Sequence, residues 1–152
     1  MRFVAVLLLG VAVLARPASS SSLNIDASQF QCLALNVYWE SRSEPTAGQL
    51  AIAHLTLNRV KSNKFAESIC GVVQQGGETQ SCQFSWWCDG RSDAVVDGPA
   101  WREAVRVAKM AIEAEAKDPT DGALYVHNTS VSPSYLAKKK PTARIGRHVF
   151  YR

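Results

Sequence analysis

Hydrophobic positions recur at helical spacing in three places along the chain. Phe30, Leu33, Ala34, Val37 and Tyr38 form the first stripe. Asp26 stands where an N-cap belongs, with Gln29 three residues on as a capping-box partner, which predicts a helix from about Ala27 to Ser41. Pro45 pushes Glu44 out of helical geometry, so this helix stops before it. The second helix reads from about Thr46 to Val60. Its centre, Leu50 to Leu55, is apolar on nearly every side, which is the pattern of a buried central helix. The third starts near Pro99, since proline suits the first turn, and carries Trp101, Val105, Ala108 and Ile112 as its stripe. It ends before Pro119. A short helix is expected at Phe65 to Val73 and a turn at Gln74 to Gly77. Ala123 to His127 and Arg147 to Tyr151 are short strand candidates, and Cys82 to Cys88 is a strand or a loop. The expected fold class is α+β, mainly helical, in a single domain.

The amino terminus does not read as part of that fold. Arg2 precedes an unbroken apolar run, Phe3 to Ala15, followed by Arg16, Pro17 and the Ser-rich stretch Ala18 to Ser22. A positive start, an apolar centre and small residues after it describe a secretory signal peptide. The run is shorter than the ~20 residues that span a bilayer comfortably; an uncleaved anchor is the alternative. Residues 1–22 are therefore assigned to export and residues 23–152 to the folded domain.

Charge and cysteines narrow the class. The whole chain carries a net charge of +4, with 17 basic and 13 acidic residues. Removing Arg2 and Arg16 leaves 15 basic against 13 acidic, or +2. That is too weakly basic to argue for nucleic acid, and it would not repel an anionic cell wall. Four cysteines, Cys32, Cys70, Cys82 and Cys88, in an exported chain suggest two disulfides, with three possible connectivities. A Cys70–Cys82 bridge would close a short loop and is the pairing expected here. Zinc is the rival use, but no CxxC pair is present.

The candidate chemistry centres on Glu40. At 100° per residue it falls near Leu33 and Val37, on the flank of the apolar stripe, with Tyr38 and Trp39 beside it. A carboxyl desolvated by such neighbours has its pKa raised and can hold a proton near neutral pH. Cleavage of a glycosidic bond needs such an acid on the leaving oxygen. On periodicity alone, a helix-end glutamate turned to water is the preferred account. Glu44 either shares a cleft with Glu40 or caps the loop before Pro45. Gln83-Phe84-Ser85-Trp86-Trp87 combines hydrogen-bonding groups with aromatic faces, as sugar sites do, or is a core aromatic cluster. His54 reads as a satisfied core histidine. Asn128-Thr129-Ser130 matches a glycosylation acceptor, a motif that arises often by chance. Lys138-Lys139-Lys140 reads as a solvated loop, with the holding of anionic wall polymer as its alternative.

The segment Leu33 to Pro45, with Tyr38, Glu40, Arg42 and Glu44, resembles the opening motif of the SleB-type cell-wall hydrolases, roughly Tyr-x-Glu-Ala-Arg-Gly-Glu. Ser41 and Ser43 replace its alanine and glycine. Similar blocks follow in order: Gly48 to Ala53, Asn58-Arg59-Val60, Cys70 to Val73, Cys82 to Ser85, Asp118 to Tyr125, His127-Asn128, and Ile145 to Tyr151. The resemblance spans about residues 30–152 and reverses the preference at Glu40. It implies a lysozyme-like catalytic domain acting on peptidoglycan, with Glu40 as acid/base catalyst. It also implies Glu44, Gln83, Phe84, Ser85, His127, His148 and Tyr151 as substrate-binding residues. Neither a metal nor a cofactor is expected, and the protein is expected to act as a monomer on glycan strands. A lytic transglycosylase is the implied activity. Hydrolysis by water, or glycan binding without turnover, are the alternatives.

Overall fold

The computed structural model describes residues 25–77 and 82–152; the signal-peptide assignment lies outside these residues. Four helices come first: α1 (Ala27–Ser41), α2 (Thr46–Lys61), α3 (Ile69–Gln74) and α4 (Gly98–Ile112). A small sheet follows: β1 (Tyr125–Asn128), β2 (Pro141–Ile145) and β3 (His148–Tyr151). The strands are antiparallel, in the order β1-β3-β2. Among the described residues, no helix is long and apolar enough to cross a membrane.

The helices form for the reasons the pattern indicates. Asp26 caps α1, its Oδ1 accepting from the backbone N–H of Ser28 at 2.8 Å and of Gln29 at 3.0 Å. The box is only half made, because the Gln29 side chain reaches across to accept from Cys70 N–H at 3.0 Å. Leu33, Ala34, Val37 and Tyr38 are fully buried, and α1 packs on α2, α3 and α4. The central helix is α2, with Ala51, Ile52, Ala53, Leu55 and Thr56 all at zero exposure. Within it His54 is buried and satisfied, Nε2 donating to the Ala116 carbonyl at 3.1 Å. The buried face of α4 is Ala104, Val107, Ala108 and Ala111. Trp101, Val105 and Ile112 only flank it, partly buried. Small side chains let α4 approach α1 closely, so the face is turned from the stripe of larger residues.

Besides the α4 face and the later start of α3, at Ile69 and not Phe65, two features depart from expectation. The disulfides are Cys32–Cys70 and Cys82–Cys88, not Cys70–Cys82. The first ties α1 to α3, where Gln29 also meets Cys70. The second closes a six-residue separation around a 3-10 turn, Ser85–Cys88, so that segment is a loop and not a strand. The other departure is β2, which begins directly after the lysine run and was not foreseen. Pro141 to Ile145 has little apolar alternation, and its pairing with β3 decides its conformation.

The hairpin β2–β3 is fastened to the α1–α2 corner by Glu44. Its side chain is 3% exposed and accepts two hydrogen bonds from Arg147. Oε1 takes Arg147 Nε at 2.7 Å, Oε2 takes the Arg147 backbone N–H at 3.1 Å, and the pair is charged. Arg147 also donates to Ser43 Oγ. Two glycines make room. A Cβ at Gly48 would lie 2.9 Å from Glu44 Cβ, and one at Gly146 would overlap Glu44 Oε2. Gly146 also holds φ +55°, where other residues are strained. Gly146→Ala is therefore expected to lower stability by at least ~1–3 kcal/mol from backbone strain alone. A denaturation midpoint unchanged from that of the parent would refute this account of the hairpin.

Candidate active site

Glu40 sits near the C-terminal end of α1, where two cavities meet. One, of about 300 Å³, is lined by Glu40, Gln83, Phe84, Ser85 and the β1/β3 residues Val126, His127, Asn128 and His148. The other, of about 380 Å³, is lined by Trp39, Glu40, Arg42, Ser85, Trp86 and the 89–93 loop. Glu40 and Ser85 belong to both, so the two form one groove with Glu40 at its middle.

Burial drives the Glu40 pKa up to about 7. The positive charge of Arg59 opposes this but does not cancel it. The same burial lowers the Arg59 pKa to about 10, the Glu40 charge resisting, so Arg59 stays cationic at neutral pH. Its place is held by α2 and by aromatic rings. Nε donates to the Leu124 carbonyl at 2.8 Å, and the guanidinium lies 4.9 Å from the ring centroids of both Phe65 and Phe84. Next to it, Asn58 donates to Asp118 at 2.9 Å, and Asp118 in turn organises the Thr120–Gly122 turn that leads into β1. The C-terminal end of α2 thus carries both the charge beneath Glu40 and the anchor of the strand opposite it.

The aromatic wall is fixed by a buried polar network. Asn36, fully buried on α1, accepts from Trp86 Nε1 at 2.9 Å and donates to Thr56 Oγ1 at 3.0 Å. Trp86 then stacks on Trp39 at 6.4 Å between centroids, and Arg42 lies 4.7 Å over Trp39. Along the Cys82–Cys88 loop, burial alternates. Phe84 is 2% exposed and Trp86 7%, while Gln83 and Ser85 face out. Phe84 and Trp86 thus pack inward, Trp87 is exposed, and Gln83 and Ser85 line the groove.

Six of the eight sequence-derived site residues line the cavity beside Glu40, counting Glu40 itself: Glu40, Gln83, Phe84, Ser85, His127 and His148. His148 is buried, and its Nδ1 has no hydrogen-bond partner. Burial lowers its pKa, the Glu44 charge opposes this, and the Arg147 charge adds to the lowering. Tyr151 stands behind His127. Since the Asn128 carbonyl can only accept, His127 Nδ1 carries the proton, and Nε2 accepts from the Tyr151 hydroxyl at 2.9 Å. Glu44 does not line the groove. Burial pushes its carboxyl up, but the hydrogen bonds and charge of Arg147, helped by His148, outweigh this and hold it below its ordinary value. Residues not singled out by sequence reasoning are Asn36 and Arg59; Trp39 was named only as an aromatic neighbour of Glu40. Arg59 lay within the Asn58-Arg59-Val60 block, but nothing in that block marks it as Glu40's neighbour.

The domain is mainly helical, with a small antiparallel sheet and a buried acid in a groove. Residues 43–151 match the cell wall hydrolase family, and the chain belongs to it. Glu40 lies just before the matched span, so its assignment leans on the geometry above. The spore cortex-lytic enzyme of Bacillus subtilis is 33% identical over 127 residues, covering 81% of this chain and 37% of that protein. The Bacillus cereus enzyme of the same name is 31% identical over 142 residues, covering 89% and 50%. The chain thus spans a third to a half of the length of these relatives. The crystal structure of the catalytic domain of Bacillus cereus SleB superposes with a TM-score of 0.65 at 25% identity, covering 89% of this chain and 99% of that one. The catalytic domain of the germination-specific lytic transglycosylase SleB from Bacillus anthracis gives 0.64 at 28%, covering 85% and 98%.

If burial and Arg59 set the Glu40 pKa as described, the carboxyl carbon should titrate near pH 7 by NMR. Replacing Arg59 with Met removes the opposing cation and should move that titration higher still. A Glu40 carboxyl titrating in the usual range near 4 would remove the basis for an acid at this position. Separately, Asn36→Ala leaves the Trp86 N–H buried without its partner and should cost ~1–3 kcal/mol, with a change in tryptophan fluorescence.

Proposed function

We propose that the domain cleaves the glycan strands of peptidoglycan between N-acetylmuramic acid and N-acetylglucosamine as a lytic transglycosylase. The observation that carries this reading is Glu40: a carboxyl raised to about 7, in the middle of a groove walled by aromatic and polar side chains. Near neutral pH it holds a proton it can give to the glycosidic oxygen. The C1–O bond then breaks, leaving oxocarbenium character at the muramic C1. The C6 hydroxyl of the same sugar attacks C1, and the Glu40 carboxylate takes the hydroxyl proton. Acid and base are one residue, and the intramolecular nucleophile has a large proximity advantage over water.

Family membership and the likeness to the SleB catalytic domains support this assignment. The hydrolytic alternative asks for a second carboxylate to direct water. Glu44, engaged by Arg147 and away from the groove, is poorly suited to that task. Asp89 and Asp93 line the Trp39 side and are the candidates a hydrolase would use. Gln83, Ser85, His127 and His148 are assigned to holding the strand, Phe84 to backing it, and Tyr151 to orienting His127. The two disulfides suit an oxidising compartment, and with the amino-terminal pattern they support export to the cell envelope, where the domain acts as a monomer.

Digestion of purified peptidoglycan is the direct test. The parent protein should release fragments ending in 1,6-anhydro-muramic acid, one water lighter than hydrolytic products. Glu40→Gln should abolish release while leaving the fold intact. Reducing ends bearing the added water would instead establish a hydrolase, and release of no fragments would favour a binding module. The pH profile has a defined sign. Glu40 must be protonated in the free enzyme, so kcat/KM should be level below about pH 7 on this limb and fall about tenfold per pH unit above it.

A further inference from the structure

The outer face of the sheet bears a cavity of about 360 Å³ that the chemistry of Glu40 does not use. Strand pairing sets His127 opposite Val149 and Tyr125 opposite Tyr151, so these residues share one face; Val126, Phe150 and His148 take the other. His127, Val149 and Tyr151 floor the cavity, the 129–139 segment walls it, and Lys139 and Arg144 stand at its sides.

Its charge differs from that of the groove. Glu40, Asp89 and Asp93 line the groove, whereas none of the described residues lining this cavity is acidic. Lys139 Nζ donates to the Arg152 backbone oxygen at 3.1 Å and lies 4.7 Å over the Tyr125 ring, contacts that fix its position. Arg144 is exposed, and among the described residues no carboxylate pairs with it. Between the cations lie Val131, Pro133, Leu136 and Ala137, an apolar wall with room for small alkyl groups. Such a site fits a short peptide with free carboxylates and small side chains better than a polyol phosphate, which has nothing to place on that wall.

Its position links it to the groove. His127 lines both cavities, so the two are neighbours at the edge strand β1. A muramic acid residue in the groove carries a peptide of that chemistry on its lactyl group. We propose that the cavity is a subsite for this peptide stem, with Arg144 and Lys139 receiving its carboxylates. The assignment rests on the reading of the groove as a glycan site and names the substrate class it prefers: stem-bearing strands.

The test compares two glycan substrates free of wall polymer, one with stems intact and one stripped by an amidase. The parent should cut the stem-bearing strands with about tenfold higher kcat/KM, the size of one charge-assisted contact. Arg144→Glu should bring the ratio near one by loss on the stem-bearing strands alone, and Arg144→Lys should keep most of it. In parallel, the free stem tetrapeptide, L-Ala–D-Glu–diaminopimelate–D-Ala, is titrated into isotope-labelled Glu40→Gln protein. Amide shifts should cluster in residues 129–144 and vanish with Arg144→Glu. Equal cutting of both substrates, a ratio indifferent to Arg144→Glu, or no shifts would each overturn the proposal. Shifts with a polyol phosphate in place of the tetrapeptide would overturn it in favour of wall polymer. If neither strand is cut while the tetrapeptide binds, the catalytic reading fails and the subsite stands.

Discussion

The site depends on the buried carboxylate of Glu44. Its partner Arg147 is distant in sequence, and their contact sets the hairpin β2–β3 against the corner between α1 and α2. This contact helps to hold His148, on β3, beside Glu40, while α2 anchors the start of β1. The contact is also demanding, because a buried charge is tolerated only where its partners are complete. Both Arg147 donors and two side-chain-free positions, Gly48 and Gly146, meet that demand. The opposing directions of the two glutamate shifts follow. Four residues apart, Glu44 is held ionised by direct donors, while Glu40, facing only a noncontacting cation, is kept protonated by desolvation.

The groove is built from segments of very different stability. Glu40, Asn36 and Trp39 stand on a helix whose other faces are core, and Arg59 stands on the most buried helix of the domain. Gln83 and Ser85 come from a short loop with little structure of its own. A disulfide at its ends and the inward Phe84 and Trp86 side chains define it. Rigid acid and stapled loop thus meet at Ser85, while the sheet supplies the remaining wall. This division places Glu40 on a helix packed against the core.

Much of this was legible beforehand, and the reasons differ by element. The bounds of α1 follow from Asp26 and Pro45, local signals that act within a turn. The central position of α2 follows from apolar residues on all its sides. The buried face of α4 was misjudged because size was taken for burial. In a close helix contact the alanines go inside, and Trp101 and Ile112 are left at the margin. The strand β2 escaped notice because a short edge strand with a proline and an arginine carries no period of its own. Disulfide pairing was open for a related reason: residues 32 and 70 become neighbours only when α3 docks on α1.

At Glu40 the division is sharpest. By itself, the sequence determined the helices, the position of this residue on the flank of an apolar stripe, and the order of motif blocks that point to a wall-cleaving family. These are local or one-dimensional properties, expressed in spacing, capping and residue type. Only the tertiary structure decided that Glu40 is desolvated beside Arg59, that Glu44 belongs to a clamp and not to the groove, and that His127 borders two cavities. Each depends on groups far apart in the chain being brought together, and electrostatics acts through space, not along the backbone.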